Sequence, residues 1–551
     1  MTNPFVDFLN TLHNEKGSNQ NAIAEMQVGS PYFAAMQVRR DIISFLKTKV
    51  EAGQFVILTG HAGDGKTTLL AQVMMALGVE ISYLSPSDDI AEPISLHYVK
   101  DFSELKQDQQ DEELRLCLKR NGASILIANT GPLLNAFKRL LGDSCESSLL
   151  DAMDAPAGSI FKAADQGEAF VLNIARVDNI DFVRPFLNNI IAPEHWDVCA
   201  NCPCADKCPI LFNQKAVTLM QSRVTTFVEN CYTWLQEYDM RATIRQITAH
   251  LAFSMTGGLS CQNVIHRGKP EWRGLFLFSN LFFGAQGPMD KKGADQIRCI
   301  SLMKKAGFDR KNTLIDYSLF VKEDADKYYP LLISDMFRQL RGQSGHAPSL
   351  NMQKILKRAY LMFGVNAEVQ DRLVYQGVFS EWFETFLAIR NGKKPTSKLR
   401  NDICQAINTL FVGDSLAGDG NNINLTLRRN NEQVSNVQVL RGRIAIDEVS
   451  LVAAAEETVH QDKPSYRLEL CARRLRYPIR LPLLNYFSEI KNGIITTDID
   501  PLLSNGIDNL KAQLLSAFST DVDENEVTLV YLDGNTWKKQ TLVVGTHSID
   551  H

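Results

Sequence analysis

Apolar residues in the first third of the chain gather into short runs separated by stretches of helical spacing. Phe55-Val56-Ile57-Leu58 is the first run, and Val79–Leu84, Ser95–Asp101, Ala123–Asn129 and Ala169–Ile174 come after it, each reading as a short strand. Ahead of them Phe33, Met36, Val38, Ile42, Ile43, Phe45, Leu46 and Val50 recur at helical spacing and predict a helix between Pro31 and Ala52. Further helical segments, notably Glu104–Lys119 and Pro132–Leu141, separate most of the later runs. This alternation predicts an α/β parallel sheet covered on both faces over residues 1–180.

From Asp181 to Gly258 the pattern turns helical, giving a lid-like region over 181–265 with a cluster of cysteines inside it. Leu275–Phe283 is strongly apolar, and helical periodicity returns through Leu314–Phe363, Phe379–Ile389 and Leu399–Phe411, a helical region over 266–412. The polar stretch Gly413–Asn422 marks a boundary or an exposed loop. Beyond it Ile423–Leu427, Val437–Ile446 and Tyr466–Ala472 read as strands, Asn509–Phe518 as a helix, and Val527–Leu532 with Gln540–Val544 as a hairpin around Asp533-Gly534-Asn535. Residues 423–551 are therefore expected to form a separate α+β domain, without internal repeats.

The chemistry starts directly after the first strand. Gly60-His61-Ala62-Gly63-Asp64-Gly65-Lys66-Thr67 fills G-x-x-x-x-G-K-[ST] at every fixed position, and Thr68-Leu69-Leu70-Ala71 continues as a helix. Such a loop wraps phosphates with backbone N–H groups at a helix N-terminus, Lys66 supplies a charge for the β and γ groups, and the Thr67 hydroxyl can hold Mg²⁺. ATP and Mg²⁺ are the expected ligands, the bland alternative being an ordinary glycine-rich turn. Hydrolysis also needs a carboxylate and a means of positioning water. Asp101, at the end of the third strand, is the candidate Mg²⁺ ligand; Phe102 stands next to it where a second acid is usual, and Glu104 either serves catalysis or caps the next helix. Asp88 and Asp89 compete for the carboxylate role but sit in a turn-like setting beside Pro86 and Ser87. Asn129, ending the fourth strand, can sense the γ-phosphate or orient water, or simply start a loop ahead of Gly131.

Composition narrows the setting. Of 551 residues 45% are hydrophobic and 22% charged, with a net charge of −5, so the surface is not uniformly basic and any nucleic-acid contact needs a local patch or a partner. No run of ~18 apolar residues occurs, and Met1-Thr2-Asn3-Pro4-Phe5-Val6-Asp7 lacks the features of an export signal, so a cytoplasmic protein without membrane contact is expected. Eleven cysteines in a reducing compartment read as buried thiols or metal ligands. Four of them, Cys199, Cys202, Cys204 and Cys208, lie within ten residues. Cys199 and Cys202 have the C-x-x-C spacing that grips one tetrahedral ion and Cys208 can add a third sulfur; the fourth ligand is Cys204 or His195. Structural Zn²⁺ is the first expectation and an iron–sulfur cluster the second. Arg428, Arg429, Arg441, Arg443, Arg467, Arg473, Arg474, Arg476 and Arg480 crowd the start of the last domain, with Tyr466 and Tyr477 available for stacking. With Glu432, Asp447, Glu448 and Glu469 among them, they form either a DNA-tracking surface or a solvated or protein-binding face.

Gly53-Gln54-Phe55-Val56-Ile57-Leu58-Thr59-Gly60 running into the loop resembles the AAA+ and STAND branch of P-loop ATPases over about the first 260 residues. By that resemblance Asn129 matches the first sensor, and Arg245 in Arg241-Ala242-Thr243-Ile244-Arg245-Gln246-Ile247 matches the second-sensor arginine of the lid, a surface arginine being the alternative. The sequence offers no convincing arginine finger; Arg139, after the fourth strand, is named for that role on position alone. The order of the loop, Lys100-Asp101-Phe102-Ser103-Glu104, the Trp196–Pro209 cysteine knuckle, Thr243-Ile244-Arg245, Thr256-Gly257-Gly258-Leu259-Ser260-Cys261 and an α+β tail is similar to the F subunit of phosphorothioation-dependent DNA restriction systems, the Dnd or Dpt type. The resemblance implies a bacterial defence ATPase, expected to form homo-oligomers, that works with partner subunits against DNA lacking the sulfur modification. The missing acid beside Asp101 keeps open a nucleotide-bound switch or scaffold that assembles partners with little hydrolysis.

Overall fold

Five consecutive buried residues, Phe55–Thr59, form β1 inside a six-stranded sheet. The other strands are β2 (Ser87–Ile90), β3 (Leu96–Val99), β4 (Ala123–Ile127), β5 (Ser159–Lys162) and β6 (Glu168–Asn173), in the spatial order β2-β3-β4-β1-β6-β5. A computed structural model of the chain gives this arrangement and describes residues 2–13, 31–81, 84–285, 293–310, 316, 319, 325–341, 350–365, 375–412, 421–427, 437–459, 464–494, 499–518, 526–534 and 536–543. The chain divides into one unit of Met1–Val378 with Glu457–Lys463 and another of Phe379–Glu456 with Pro464–His551.

In the first unit β1 pairs in parallel with β4 and β6, and β4 in parallel with β3. Alternation along β1 sends Val56 and Leu58 to a core shared with Ile42, Leu46, Leu69 and Leu70, and Phe55 and Ile57 to a second core shared with Leu114, Leu133, Phe137 and Leu149. Helices Asp41–Glu51 and Lys66–Ala76 supply the first layer; Gln107–Lys119, Thr130–Leu141 and Glu146–Asp154 supply the second. Each Val, Leu or Ile so buried contributes roughly 1.5–3 kcal/mol, which is why β1 and β4 are apolar on both sides.

Both edges depart from the expected pattern. The described residues of Val79–Leu84 carry no strand, Ser82 and Tyr83 lying outside them; the strand is β2, antiparallel to β3 with Ser87 opposite Val99, where a turn was expected. An edge strand tolerates polar residues because one side of it faces water. Asp89 further ties it down, with Arg120 at 2.6 Å and the His97 ring at 3.3 Å. The unanticipated β5 is antiparallel to β6 at the opposite edge. The helix expected across Pro31–Ala52 is two, Pro31–Met36 and Asp41–Glu51. Between them the carbonyls of Gln37 and Val38 accept from the Asn189 and Gln72 side-chain amides instead of continuing a helix. The helix expected from Glu104 begins at Gln107, after a single 3₁₀ turn over Phe102–Glu104.

After β6 the unit is helical, with Val183–Ile191, Pro209–Leu219, Gln221–Glu237, Ile244–Thr256 and Cys261–Arg267 among its elements. In the second unit Asn422–Leu427 (β7), Val437–Ala445 (β8), Glu526–Asp533 (β12) and Thr536–Val543 (β13) form a sheet ordered β13-β12-β8-β7. Val449–Glu456 (β9), Ser465–Ala472 (β10) and Leu475–Pro478 (β11) form another. All of these pairs are antiparallel. β9, β11 and the helix Leu481–Lys491 were not anticipated, and the helix expected at 509–518 spans Pro501–Phe518. The helix Ser397–Val412 belongs to this unit, and most of the polar stretch 413–422 lies outside the described residues. No helix among the described residues is long and apolar enough to cross a membrane.

Candidate functional site

The parallel strands end at one edge of the sheet, where three connecting segments meet: the glycine-rich loop after β1, Lys100 and Asp101 after β3, and Asn129 after β4. Crevices at the carboxyl ends of parallel strands are where α/β sheets bind ligands. Gly60 has φ +146° and a Cβ there would stand 2.9 Å from Ile174 Cγ1; Gly63 has φ +89° and its Cβ would meet Thr243 Oγ1 at 3.1 Å and Arg245 Cβ at 3.2 Å. Both positions therefore require glycine, by backbone conformation and by space. His61 and Ala62 are exposed, and Thr67 and Thr68 lie half-buried in the first turn of Lys66–Ala76, whose leading N–H groups have no acceptor within the helix.

Two charged side chains of the loop behave oppositely. Asp64 is wholly buried, accepting from the His61 N–H at 3.1 Å and from Arg241 Nη1 at 2.8 Å. Arg241 also donates to the Ile174 carbonyl at 3.1 Å and the Val177 carbonyl at 3.3 Å, tying the loop to the segment ahead of Ile244–Thr256. Lys66 Nζ donates to the Gly60 and His61 carbonyls, each at 2.9 Å, and to Asn129 Oδ1 at 3.2 Å. Burial lowers the Lys66 ammonium from its ordinary range; Asp64 opposes the shift and Arg245 adds to it. Arg245 lies in the first turn of its helix, capped by Thr243, and its N–H donates to the Gly63 carbonyl at 3.0 Å.

A cavity of about 490 Å³ joins these groups. Its lining includes Gly63, Gly65, Lys66, Thr67, Thr68, Asp101, Glu104, Asn129 and Arg245 together with the apolar Phe8, Leu12, Met36, Val38, Phe182 and Phe186. Asp101 pairs with Lys100 at 3.2 Å, and buried Lys100 also donates to the Leu84 carbonyl at 3.3 Å. Glu104 is exposed, and Ser103 Oγ accepts from the Asn129 N–H at 2.8 Å. Asp88 and Asp89 lie on β2 and do not border the cavity. Arg139, bound to Asp111 at 2.8 Å and Gln110 at 2.9 Å, does not border it either.

The cysteine knuckle gathers sulfurs in another place. Cys199, Cys202, Cys204 and Cys208 line a small cavity together with Cys261, the first residue of Cys261–Arg267. Asn3 donates from its backbone N–H to Cys261 Sγ at 3.3 Å and from Nδ2 to Cys199 Sγ at 3.4 Å; the Leu211 N–H donates to Cys208 Sγ at 3.5 Å. Burial pushes the Cys208 thiol up to about 11 and raises Cys199 and Cys261, neighbouring sulfurs adding to each. The His195 ring does not line this cavity; it stacks on Phe5 with centroids 4.3 Å apart, and burial lowers its pKa. As they stand, no three His, Cys, Asp or Glu side chains among the described residues converge closely enough to hold a metal ion.

In the second unit the arginine cluster is partly neutralised. Arg467 and Arg476 face Glu469 at 2.6 and 3.8 Å, and Arg473 meets Glu448 at 3.3 Å and lies over the Phe518 ring at 4.3 Å. Tyr477 is buried and donates to the Gly506 carbonyl at 2.7 Å, so it offers no stacking face. Arg428, Arg429 and Glu432 lie outside the described residues.

Four features of these sites are not legible in the sequence. Lys100 reads as the end of a strand, Arg241 reads as the lesser of two arginines beside Arg245, and the apolar cavity wall is made of residues that read as core. Cys261 lies far from the knuckle in sequence, so local ligand spacing could not enlist it. Comparison of the chain with known protein families, curated proteins and solved structures finds no match.

Proposed function

We propose that the chain binds and hydrolyses ATP, and that this reaction powers or gates a DNA-defence complex. The observation that carries the reading is the G-H-A-G-D-G-K-T loop between a buried strand and a helix, opening on a cavity of about 490 Å³ lined by both polar and apolar side chains. That volume falls within the range of small-molecule sites, and its mixed lining suits a triphosphate joined to a flat heteroaromatic base. Lys66 would take the β- and γ-phosphates, exchanging its carbonyl acceptors for phosphate oxygens. Phe8, Leu12, Met36, Val38, Phe182 and Phe186 would enclose the base.

The Thr67 hydroxyl and the Asp101 carboxylate are the oxygen donors fitted to hold Mg²⁺, which when bound neutralises phosphate charge. Asn129, held by Lys66 and Ser103, is positioned to sense the γ-phosphate or orient water. Arg245 would report the same charge to the Ile244–Thr256 helix. The biological setting rests on the resemblance of the motif order to the F subunit of phosphorothioation-dependent restriction systems, with DNA reached directly or through partner subunits.

One observation favours a second reading, a nucleotide-bound switch that assembles partners. The residue beside Asp101 is Phe102, fully buried, and the next acid, Glu104, is exposed. Steady-state phosphate release, with and without duplex DNA, tests both. A hydrolase gives turnover that disappears in Lys66→Ala and drops sharply in Asp101→Ala; undiminished turnover by the Lys66 variant overturns the assignment. ATP retained unchanged under both conditions selects the switch.

A further inference from the structure

We infer that Cys199, Cys202, Cys208 and Cys261 form a tetrahedral thiolate site for one Zn²⁺ ion, with Asn3 donating hydrogen bonds to two of the four sulfurs. This inference concerns a place separate from the nucleotide cavity and stands whether or not the ATP reading does.

The segment before the helix Pro209–Leu219 holds itself together poorly. Between Ala192 and Pro209 it consists of three 3₁₀ turns, Pro193–His195, Asp197–Asn201 and Ala205–Lys207, none of which buries a residue of its own. Trp196 and Cys204 are its buried apolar side chains. A run of short turns with so little apolar burial lacks the core that would fix it, and small turn-rich segments commonly take a metal staple for that reason.

The sulfurs surround a space suited to one ion. The cavity they line measures about 20 Å³, room for about one water-sized sphere on the measure in which a water needs at least ~10–15 Å³. The remaining wall includes Val198, Leu211, Val264 and Ile265, so the space offers a bare cation sulfur and almost nothing else. Thiolates bind Zn²⁺ at about 2.3 Å, and since no three ligating side chains among the described residues stand close enough to hold an ion, binding would draw the turns inward.

Hydrogen bonds single out three of the five sulfurs. Metal-bound thiolates carry charge that N–H donors stabilise, and such donors hold ligands in orientation. Cys261 and Cys199 each receive one from Asn3, and Cys208 receives one from Leu211. Cys202 completes the C-x-x-C turn, its N–H donating to the Cys199 carbonyl at 3.2 Å. Among the described residues no N–H reaches the sulfur of Cys202 or Cys204; Cys202 is preferred because it has the C-x-x-C spacing from Cys199, which Cys204 lacks. Asn3 also caps the Pro4–Leu12 helix through the Phe5 N–H at 3.0 Å, so the ion would fasten the helix that carries Phe8 and Leu12 to the cavity wall.

The full chain, purified under reducing conditions, should contain one zinc per molecule by elemental analysis. After metal removal it should take up one Zn²⁺ in competition with a chromogenic chelator. Cys199→Ser, Cys202→Ser, Cys208→Ser and Cys261→Ser should each lose that ion, while Cys204→Ser retains it. Asn3→Ala should weaken zinc binding roughly 10- to 100-fold. Because a serine variant can unfold, Co²⁺ is also titrated into the unmutated chain and the Cys204→Ser chain, where charge-transfer and d–d bands of four-thiolate coordination are expected in both. Stoichiometric zinc in Cys261→Ser, its loss in Cys204→Ser, a three-thiolate cobalt spectrum, iron with labile sulfide, or no zinc uptake would each overturn the assignment.

Discussion

Arg241→Ala removes the partner of a carboxylate that has no contact with water. Asp64 and Arg241 stand 2.8 Å apart, with side-chain exposures of 0% and 18%. At that distance and an effective dielectric of about 20 their attraction is ~6 kcal/mol, against which stands the cost of taking both groups out of water. Breaking such a pair from one side costs about 3–5 kcal/mol, because the carboxylate left behind is buried and unpaired. The Ile174 and Val177 carbonyls lose a donor at the same time. Asp64→Asn should cost less, since its side-chain oxygen can still accept from His61 while Arg241 keeps two carbonyls and partial access to solvent. The double variant should then cost less than the sum of the singles by roughly 1–3 kcal/mol. Amide hydrogen exchange by mass spectrometry on peptides spanning β1 reads the opening of this unit without requiring the whole chain to unfold in one step. Additive effects, or an Arg241→Ala cost below about 1 kcal/mol, would refute the view that this pair fastens the loop.

Gly63→Ala places a Cβ 3.1 Å from Thr243 Oγ1 on a backbone with φ +89°; a loss of about 1–2 kcal/mol is expected in thermal denaturation, and an unchanged midpoint would show that loop and helix are not in contact. Because burial lowers Lys66 from its ordinary value of 10.5, ATP affinity measured by calorimetry should fall as pH rises through that lowered value, and fall at lower pH still in Asp64→Asn; a flat profile to the ordinary lysine range contradicts this. His250, buried between the Tyr232 hydroxyl and the Phe282 carbonyl, has its pKa down at about 4 from 6.5. Between those values the unfolded chain binds the proton and the folded chain does not, so stability should drop by about 3 kcal/mol on acidification across the window. Exchange of the Ile244–Thr256 amides, corrected for its intrinsic pH dependence, measures this, and no change in opening free energy would contradict it.

Burial on two faces is what made β1 and β4 legible: a strand covered by helices above and below has no polar positions, and Phe55–Leu58 and Ala123–Ile127 show none but Ser124. The edges were illegible for the converse reason. Ser87-Asp88-Asp89-Ile90 is held by backbone pairing and by contacts of Asp89 to Arg120 and the His97 ring, which leave no periodicity to read. The break at Gln37–Arg40 depends on Asn189 and Gln72, residues brought there only by folding. At the cavity, the loop announces itself because glycine and lysine must occupy fixed positions along one short segment. The groups around it come from segments far apart in sequence, and Phe8, Phe182 and Phe186 are indistinguishable from core residues until the cavity beside them is seen.

Calorimetric titration of magnesium-complexed ATP into the full chain tests the nucleotide reading most directly. One saturable site per chain is predicted for the unmutated protein. In Lys66→Ala, loss of a charge-assisted contact worth about 1.5–3 kcal/mol should weaken that site roughly 10- to 150-fold. Absence of saturable heat from the folded chain, or equal affinity in the Lys66 variant, would contradict the account.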